Sequence, residues 1–271
     1  MTRSDRHIPT VIALHCSGAS GRQWRGLAAM LSPHAQVIAP DLKAHHPGIS
    51  DGRRHMSLLN EAAPIIGMID ASASPVHLVG HSYGGAVALR AALERPNHVA
   101  SLTLYEPTAF SLLRNLGPAG RALHDDIAML ASRVSHEVSE GRHAEAMRGF
   151  YDYWQGDGAW NHLSPDMRLM LAARVRENPF DFTALFTDAM QLRQLRRLSI
   201  PTLVITGKNS PEPSRTVAAQ IARVIPKGRN IELAGAGHMG PVTHRETVAA
   251  IIAGHLGIDI AAKADRPALA A

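Results

Sequence analysis

A serine stands between two glycines in Gly80-His81-Ser82-Tyr83-Gly84, and a third glycine, Gly85, follows. A serine hydroxyl is a poor nucleophile at neutral pH unless a base takes its proton. The pentapeptide alone is weak evidence; its setting strengthens it. The apolar run at 76–79 predicts a strand, and 83–93 predicts an apolar helix. A serine on a sharp strand-to-helix turn is held strained, with its hydroxyl presented. Such a turn crowds its neighbours, so positions 80 and 84 need to lack a Cβ, while Gly85 lets the helix pack close. The helix start adds N–H groups and a positive dipole end where an oxyanion would develop.

The candidate base is His238, in Leu233-Ala234-Gly235-Ala236-Gly237-His238-Met239-Gly240-Pro241. A loop of small residues can carry an imidazole across the strand ends to Ser82. His244 falls inside the following helix pattern and reads as a surface residue. His81 flanks the serine and is expected to point away from it. An oxyanion also needs a second backbone donor. The loop His15-Cys16-Ser17-Gly18-Ala19-Ser20-Gly21 follows the first strand. If the first and third strands are neighbours, the N–H groups of Ser17 and Tyr83 converge.

These residues need a scaffold that brings strand ends together. Short strands are predicted at 10–14, 36–39, 76–79, 99–105, 202–206 and 230–233. Helices are predicted at 23–31, 56–69 (kinked at Pro64), 83–93, 214–224 and 242–256. Alternation of this kind signals an α/β fold, a mostly parallel sheet of about six strands with helices on both faces. From 107 to 198 the pattern is helical only, with Leu123, Ile127, Leu130, Val134 and Val138 stepping by three or four. An insertion of that size after the fourth strand looks like a helical cap. The expected division is a core of 1–106 and 199–260, a cap of 107–198 and a loose tail of 261–271. Ten of the twelve Phe, Trp and Tyr residues lie between Tyr105 and Phe186. They either fill the cap's own core or line an apolar pocket beneath it.

Composition excludes other classes. Of 271 residues, 45% are hydrophobic and 19% charged, which suits a full core and excludes a disordered chain. No run of about 18 apolar residues predicts a membrane helix, and the polar start lacks a signal-peptide core. The single cysteine, Cys16, fits a cytoplasmic setting. The net charge of +5 is dispersed. Arg193, Arg196 and Arg197 read as a solvated helix face, and no basic stripe interleaves with aromatics, so no nucleic-acid partner is expected. Sixteen histidines show no paired metal-ligand spacing, the adjacent His45-His46 with His55 being the nearest to one. No metal or cofactor is expected; the expected partner is a small-molecule substrate.

The His15 loop, Pro40-Asp41-Leu42, the Ser82 elbow, the helical insertion and Gly237-His238 occur in the order of the α/β-hydrolase fold. Over about residues 10–257 the chain resembles that family. The resemblance implies Ser82 as nucleophile, His238 as general base, Ser17 and Tyr83 as oxyanion donors, and a structural Asp41. Three departures stand out. About nine residues precede the first strand, where the family commonly opens with a hairpin. His15-Cys16 replaces the usual His-Gly pair and puts a side chain beside the hole. Finally, Gly207-Lys208-Asn209-Ser210-Pro211-Glu212 carries Ser210 where an aspartate is expected. Glu106, ending the fourth strand, is the substitute acid, with Glu212 the alternative. The order Ser82, Glu106, His238 is the one this fold uses.

The expected activity is hydrolysis of an ester or similar acyl bond in a small, fairly apolar molecule through a Ser-His-acid triad. Fold does not fix the bond cleaved. Thioester hydrolysis, carbon–carbon bond hydrolysis or a lyase reaction on the same site are alternatives. So is a non-catalytic ligand-binding protein, favoured by the missing acid at 210. Cys16 is expected close to Ser82 without being the nucleophile.

Overall fold

The computed structural model describes residues 8–32, 34–42 and 57–259. The His45-His46 and His55 group and the tail at 261–271 lie outside the described residues. Six strands form one sheet: β1 Thr10–Leu14, β2 Gln36–Ile38, β3 Val76–His81, β4 Val99–Tyr105, β5 Thr202–Gly207 and β6 Gly228–Leu233. Their order is β2-β1-β3-β4-β5-β6, parallel throughout. The register carries one line across the middle of the sheet, Ala13 beside Val79, Val79 beside Thr103 and Thr103 beside Leu203. Parallel strands covered on both faces read as unbroken apolar runs. That is why Val11-Ile12-Ala13-Leu14 and the whole of β5 are buried. Edge strand β6 exposes most of its residues.

Helices cover the two faces. α1 (Arg25–Leu31) sends Leu27 and Leu31 to one face, where Val248, Ala249 and Ile252 also pack. α2 (Leu58–Asp70) and α3 (Tyr83–Glu94) pack on the other through Ile65, Ile69, Val87 and Leu89. Each such aliphatic side chain stabilises the fold by roughly 1.5–3 kcal/mol on burial. α2 starts where the Ser57 hydroxyl accepts from the Asn60 N–H. It runs as one continuous α-helix through Pro64.

Between β4 and β5 the described chain is helical without strands. α4 (Gly117–Ser139), α5 (His143–Gln155), α6 (Pro165–Ala172), α7 (Asn178–Thr187) and the short α8 (Leu192–Leu195) are joined by turns. Ile127, Leu130 and Val134 of α4 face inward as their spacing predicts. Together with Met147, Trp154 and Phe182 they form a core continuous with the α2–α3 side of the sheet. α9 (Glu212–Val224) returns to that same face. The single helix expected over 242–256 is two, α10 (Gly240–Thr243) and α11 (Arg245–His255). His244 between them leaves helical geometry at φ −123°, ψ 41°, with its N–H held by the Gly240 carbonyl at 2.8 Å. The apolar period belongs to α11, while α10 is the end of the His238 loop.

Candidate active site

Ser82 sits where β3 becomes α3, at φ 54°, ψ −119°. Backbone strain of this kind costs a non-glycine residue about 1–3 kcal/mol and persists only where packing enforces it. The enforcement is visible. A Cβ on Gly80 would lie 2.5 Å from the Gly84 carbonyl oxygen, and one on Gly84 would lie 2.4 Å from that of His15. The second contact also presses the elbow against the end of β1. Glu106, the residue after β4, is the only other non-glycine residue with positive φ among the described residues, at 44°. Its N–H donates to the Ile205 carbonyl at 3.0 Å, so β5 holds it in place.

The strand ends bring three predicted side chains together. Ser82 Oγ donates to His238 Nε2 at 2.9 Å, and His238 Nδ1 donates to Glu106 Oε2 at 2.6 Å. A carboxylate only accepts, so the proton of the neutral ring belongs on Nδ1. All three residues are buried, Glu106 completely. The other carboxylate oxygen, Oε1, accepts from the Gly207 N–H at 2.6 Å and from the Ser210 hydroxyl. Glu212, the alternative acid, is exposed in the first turn of α9. A hydroxyl held by an imidazole whose second nitrogen is anchored to a buried carboxylate can be deprotonated as it attacks a carbonyl.

The loop carrying Ser17 lies beside this elbow. β1 and β3 are neighbours, and Ser17, Ser82 and Tyr83 line one cavity. The Cys16 N–H donates to Gln23 Oε1, and the Ala19 N–H to the Cys16 carbonyl, both at 3.1 Å, which holds the loop's shape. Asp41 accepts from the Gly21 N–H at 2.7 Å, and the Leu42 N–H donates to His15 Nε2 at 3.0 Å. The Pro40-Asp41-Leu42 turn therefore ties this loop to the end of β2.

Three supporting residues escaped sequence reasoning. His81 points away from Ser82, as expected, but it carries the His238 loop. Its Nε2 donates to the His238 carbonyl at 2.8 Å, and its Nδ1 accepts from Gln23 Nε2 at 3.0 Å. Burial first, and the nearby His238 imidazole second, hold its pKa well below the usual histidine value, so it stays neutral. Trp154 of α5 stacks on the His238 ring, with centroids 4.1 Å apart and planes 24° apart. Adjacency to the elbow hinted at His81; nothing local marks Gln23 or Trp154.

Two cavities meet at Ser82. One of about 20 Å³ is bounded by Ser17, Tyr83, Thr108, Asn178, Asp181 and Phe182. The other, about 80 Å³, lies among Met147, Phe150, Tyr151, Trp154, Leu171 and His238 and is largely apolar. Cys16 touches the second cavity, yet burial above all pushes its thiol pKa up to about 12. Among the described residues, no three His, Cys, Asp or Glu side chains gather as a metal site. No described helix is long and apolar enough to cross a membrane.

The chain matches the alpha/beta hydrolase family over residues 11–251. It is 34% identical to Lipase LipV of Mycobacterium tuberculosis over 156 residues, covering 57% of this chain and 52% of the relative. It is 31% identical to the 2-hydroxy-6-oxo-2,4-heptadienoate hydrolase of Pseudomonas putida over 158 residues, covering 52% and 57%. The chain thus spans somewhat over half the length of these two curated relatives. A solved hydrolase from Pseudomonas aeruginosa superposes with a TM-score of 0.75 at 24% identity, covering 92% of this chain and 90% of that one. Since the match runs from the first strand of the sheet into its last helix, the chain belongs to the alpha/beta hydrolase family.

Proposed function

We propose that the protein is a serine hydrolase that cleaves an ester or similar acyl bond of a small, fairly apolar molecule. The observation that carries this reading is the unbroken hydrogen-bond chain from Glu106 through His238 to Ser82 on a strained elbow. Ser82 Oγ attacks the carbonyl carbon while His238 Nε2 takes its proton. The N–H groups of Ser17 and Tyr83 receive the oxyanion, and Glu106 stabilises the imidazolium. The leaving group departs with the proton from His238. Water then attacks the acyl-enzyme with the same base, releasing the acid and restoring the serine. No metal or cofactor takes part in this scheme. Residues 107–198 act as a cap over a core of 1–106 and 199–260; Phe150 and Trp154 lining the cavities at Ser82 support that role.

The Pseudomonas putida relative supports a second reading. The substrate in its name contains no ester or amide link, so its hydrolysis breaks a carbon–carbon bond. The same serine, base and oxyanion donors serve either bond.

A fluorophosphonate probe tests the reading without knowledge of the substrate. The wild-type protein is expected to be labelled at Ser82, and Ser82→Ala to lose both labelling and turnover while keeping its circular-dichroism spectrum. More than a few per cent of wild-type turnover in that variant would remove Ser82 as nucleophile. A panel of acyl esters and diketones separates the two bond classes, with ester turnover expected.

A further inference from the structure

Above Ser82, three buried polar groups lack a hydrogen-bond partner among the described residues: Thr108 Oγ1, Asn178 Nδ2 and Trp154 Nε1. Their residues are 2%, 0% and 6% exposed. Native proteins leave few such groups unpaired, and each calls for an explanation. All three residues line the small cavity of about 20 Å³ that Ser82 and Ser17 share. The Thr108 N–H donates to the Ser82 carbonyl at 3.2 Å, so the segment after β4 packs directly against the nucleophile's turn. Asn178 meets Ser17 Oγ with one end of its amide at 3.3 Å, while Ser17 gives its own proton to the Asp181 carboxylate. Turned either way, the amide offers the cavity a donor or an acceptor.

Charge narrows what belongs there. Among the described residues, no lysine or arginine lines either cavity at Ser82. Arg174, which donates to the Gly18 carbonyl, is exposed. Asp181 is a buried carboxylate in the cavity wall, so an anionic substrate group would meet like charge. A hydroxyl both donates and accepts, carries no charge and fills about the volume of the one water such a space holds.

On the footing of the Ser82 hydrolase reading, we propose that Thr108 and Asn178 form a subsite for a neutral hydroxyl on the acyl part of the substrate. The apolar alcohol part then occupies the cavity of about 80 Å³ among Met147, Phe150 and Leu171. The substrate class is a short hydroxyacyl ester. A site built to bond a substrate hydroxyl discriminates strongly against the analogue that lacks it.

The test is a ligand-observed NMR titration of Ser82→Ala with butyl 3-hydroxybutanoate, butyl butanoate and the anionic monobutyl succinate. The hydroxy ester is expected to bind about tenfold tighter than the butanoate, and the succinate more weakly than either. Thr108→Val, which keeps the side chain's shape, and Asn178→Leu should each cut that preference roughly 3–10-fold. Thr108→Ser should restore it. If Asn178→Leu does not fold, the Thr108 pair decides alone. Equal binding of hydroxy ester and butanoate, a preference that survives Thr108→Val, or tightest binding of the succinate overturns the subsite. Turnover of the same esters by the wild-type protein is read separately. A binding preference without any turnover would defeat the hydrolase reading and leave the subsite standing. Turnover without preference would defeat the subsite alone.

Discussion

Ser210 donates its hydroxyl hydrogen to Glu106 Oε1, across 104 residues of sequence. The position after β5 where the resemblance expects an aspartate thus touches the carboxylate that reaches His238 from β4. Exchanging the two is a direct test of the proposed triad. Glu106→Gln should leave the fold intact and lower kcat by roughly 10²–10⁴, the scale of general-base effects. Ser210→Asp added to Glu106→Gln should recover at least about tenfold of that loss, because it returns a carboxylate beside the amide that then faces His238. Glu212→Gln, on the exposed first turn of α9, should change kcat less than about twofold. Steady-state kinetics on the best ester of the panel decides among these. An unimpaired Glu106→Gln would remove Glu106 from the proposed mechanism.

Cys16 lies at the site but is chemically quiet. With its thiol pushed up to about 12, the folded protein holds little thiolate at pH 7.5. Iodoacetamide should therefore label it on the order of 10³-fold more slowly in the native state than in urea. Cys16→Ala should retain substantial activity. Fast native labelling, or complete loss of turnover in that variant, contradicts the assignment.

Histidine burial sets a pH dependence of stability. Burial lowers the pKa of His81 well below the usual value and lowers that of His77; it brings His255, with help from Arg229 and His77, to about 4. Below about pH 6.5 the unfolded chain binds protons at these positions that the native state refuses. More protons on the unfolded side means that stability rises with pH there. It is fully present above the unfolded value and is lost as pH falls toward the depressed folded values. The limiting slope is about 1.4 kcal/mol per pH unit for each histidine engaged. Tm should drop between pH 7 and pH 5, and His255→Gln should flatten the decline. A flat profile over that range would speak against neutral, buried histidines.

The elbow tolerates no enlargement. Gly84→Ala places a methyl 2.4 Å from a backbone oxygen, which no rotamer relieves. Overpacking of this kind costs about 1–3 kcal/mol or forces the turn to shift. The expected result is a lower Tm together with loss of fluorophosphonate labelling. A variant with wild-type Tm and labelling would show that β1 and α3 have room to separate.

The six-strand parallel sheet is legible because each strand is a short apolar run bounded by turn residues. The structure extends β3, β5 and β6 by one or two residues beyond those runs. His81 is part of β3 although it is polar, since its ring is taken up by Gln23 and the His238 carbonyl rather than by water. Ser82 and His238 stand out in the sequence because glycines on either side of them report on the backbone. Glu106 stands out only once Ser210 is noticed in place of an acid. The Trp154 stack on His238 has no local signature. Whether one aromatic of α5 or another reaches the imidazole depends on how the inserted helices settle over the strand ends, and amphipathic spacing fixes a face but not a partner.

Trp154 over His238 also makes time a property of the fold. On the proposed acyl-enzyme route, the water that completes the reaction would have to reach a buried serine and an imidazole covered on one face by Trp154. If α5 has to move aside for that water, the dwell of an acyl group on Ser82 would follow the microsecond-to-millisecond range of lid motion rather than bond chemistry. A viscous cosolvent should lengthen that dwell in proportion to its drag, and Trp154→Leu should uncouple the two. The ring stacked on the base would then set the pace at which the proposed enzyme forgets each substrate.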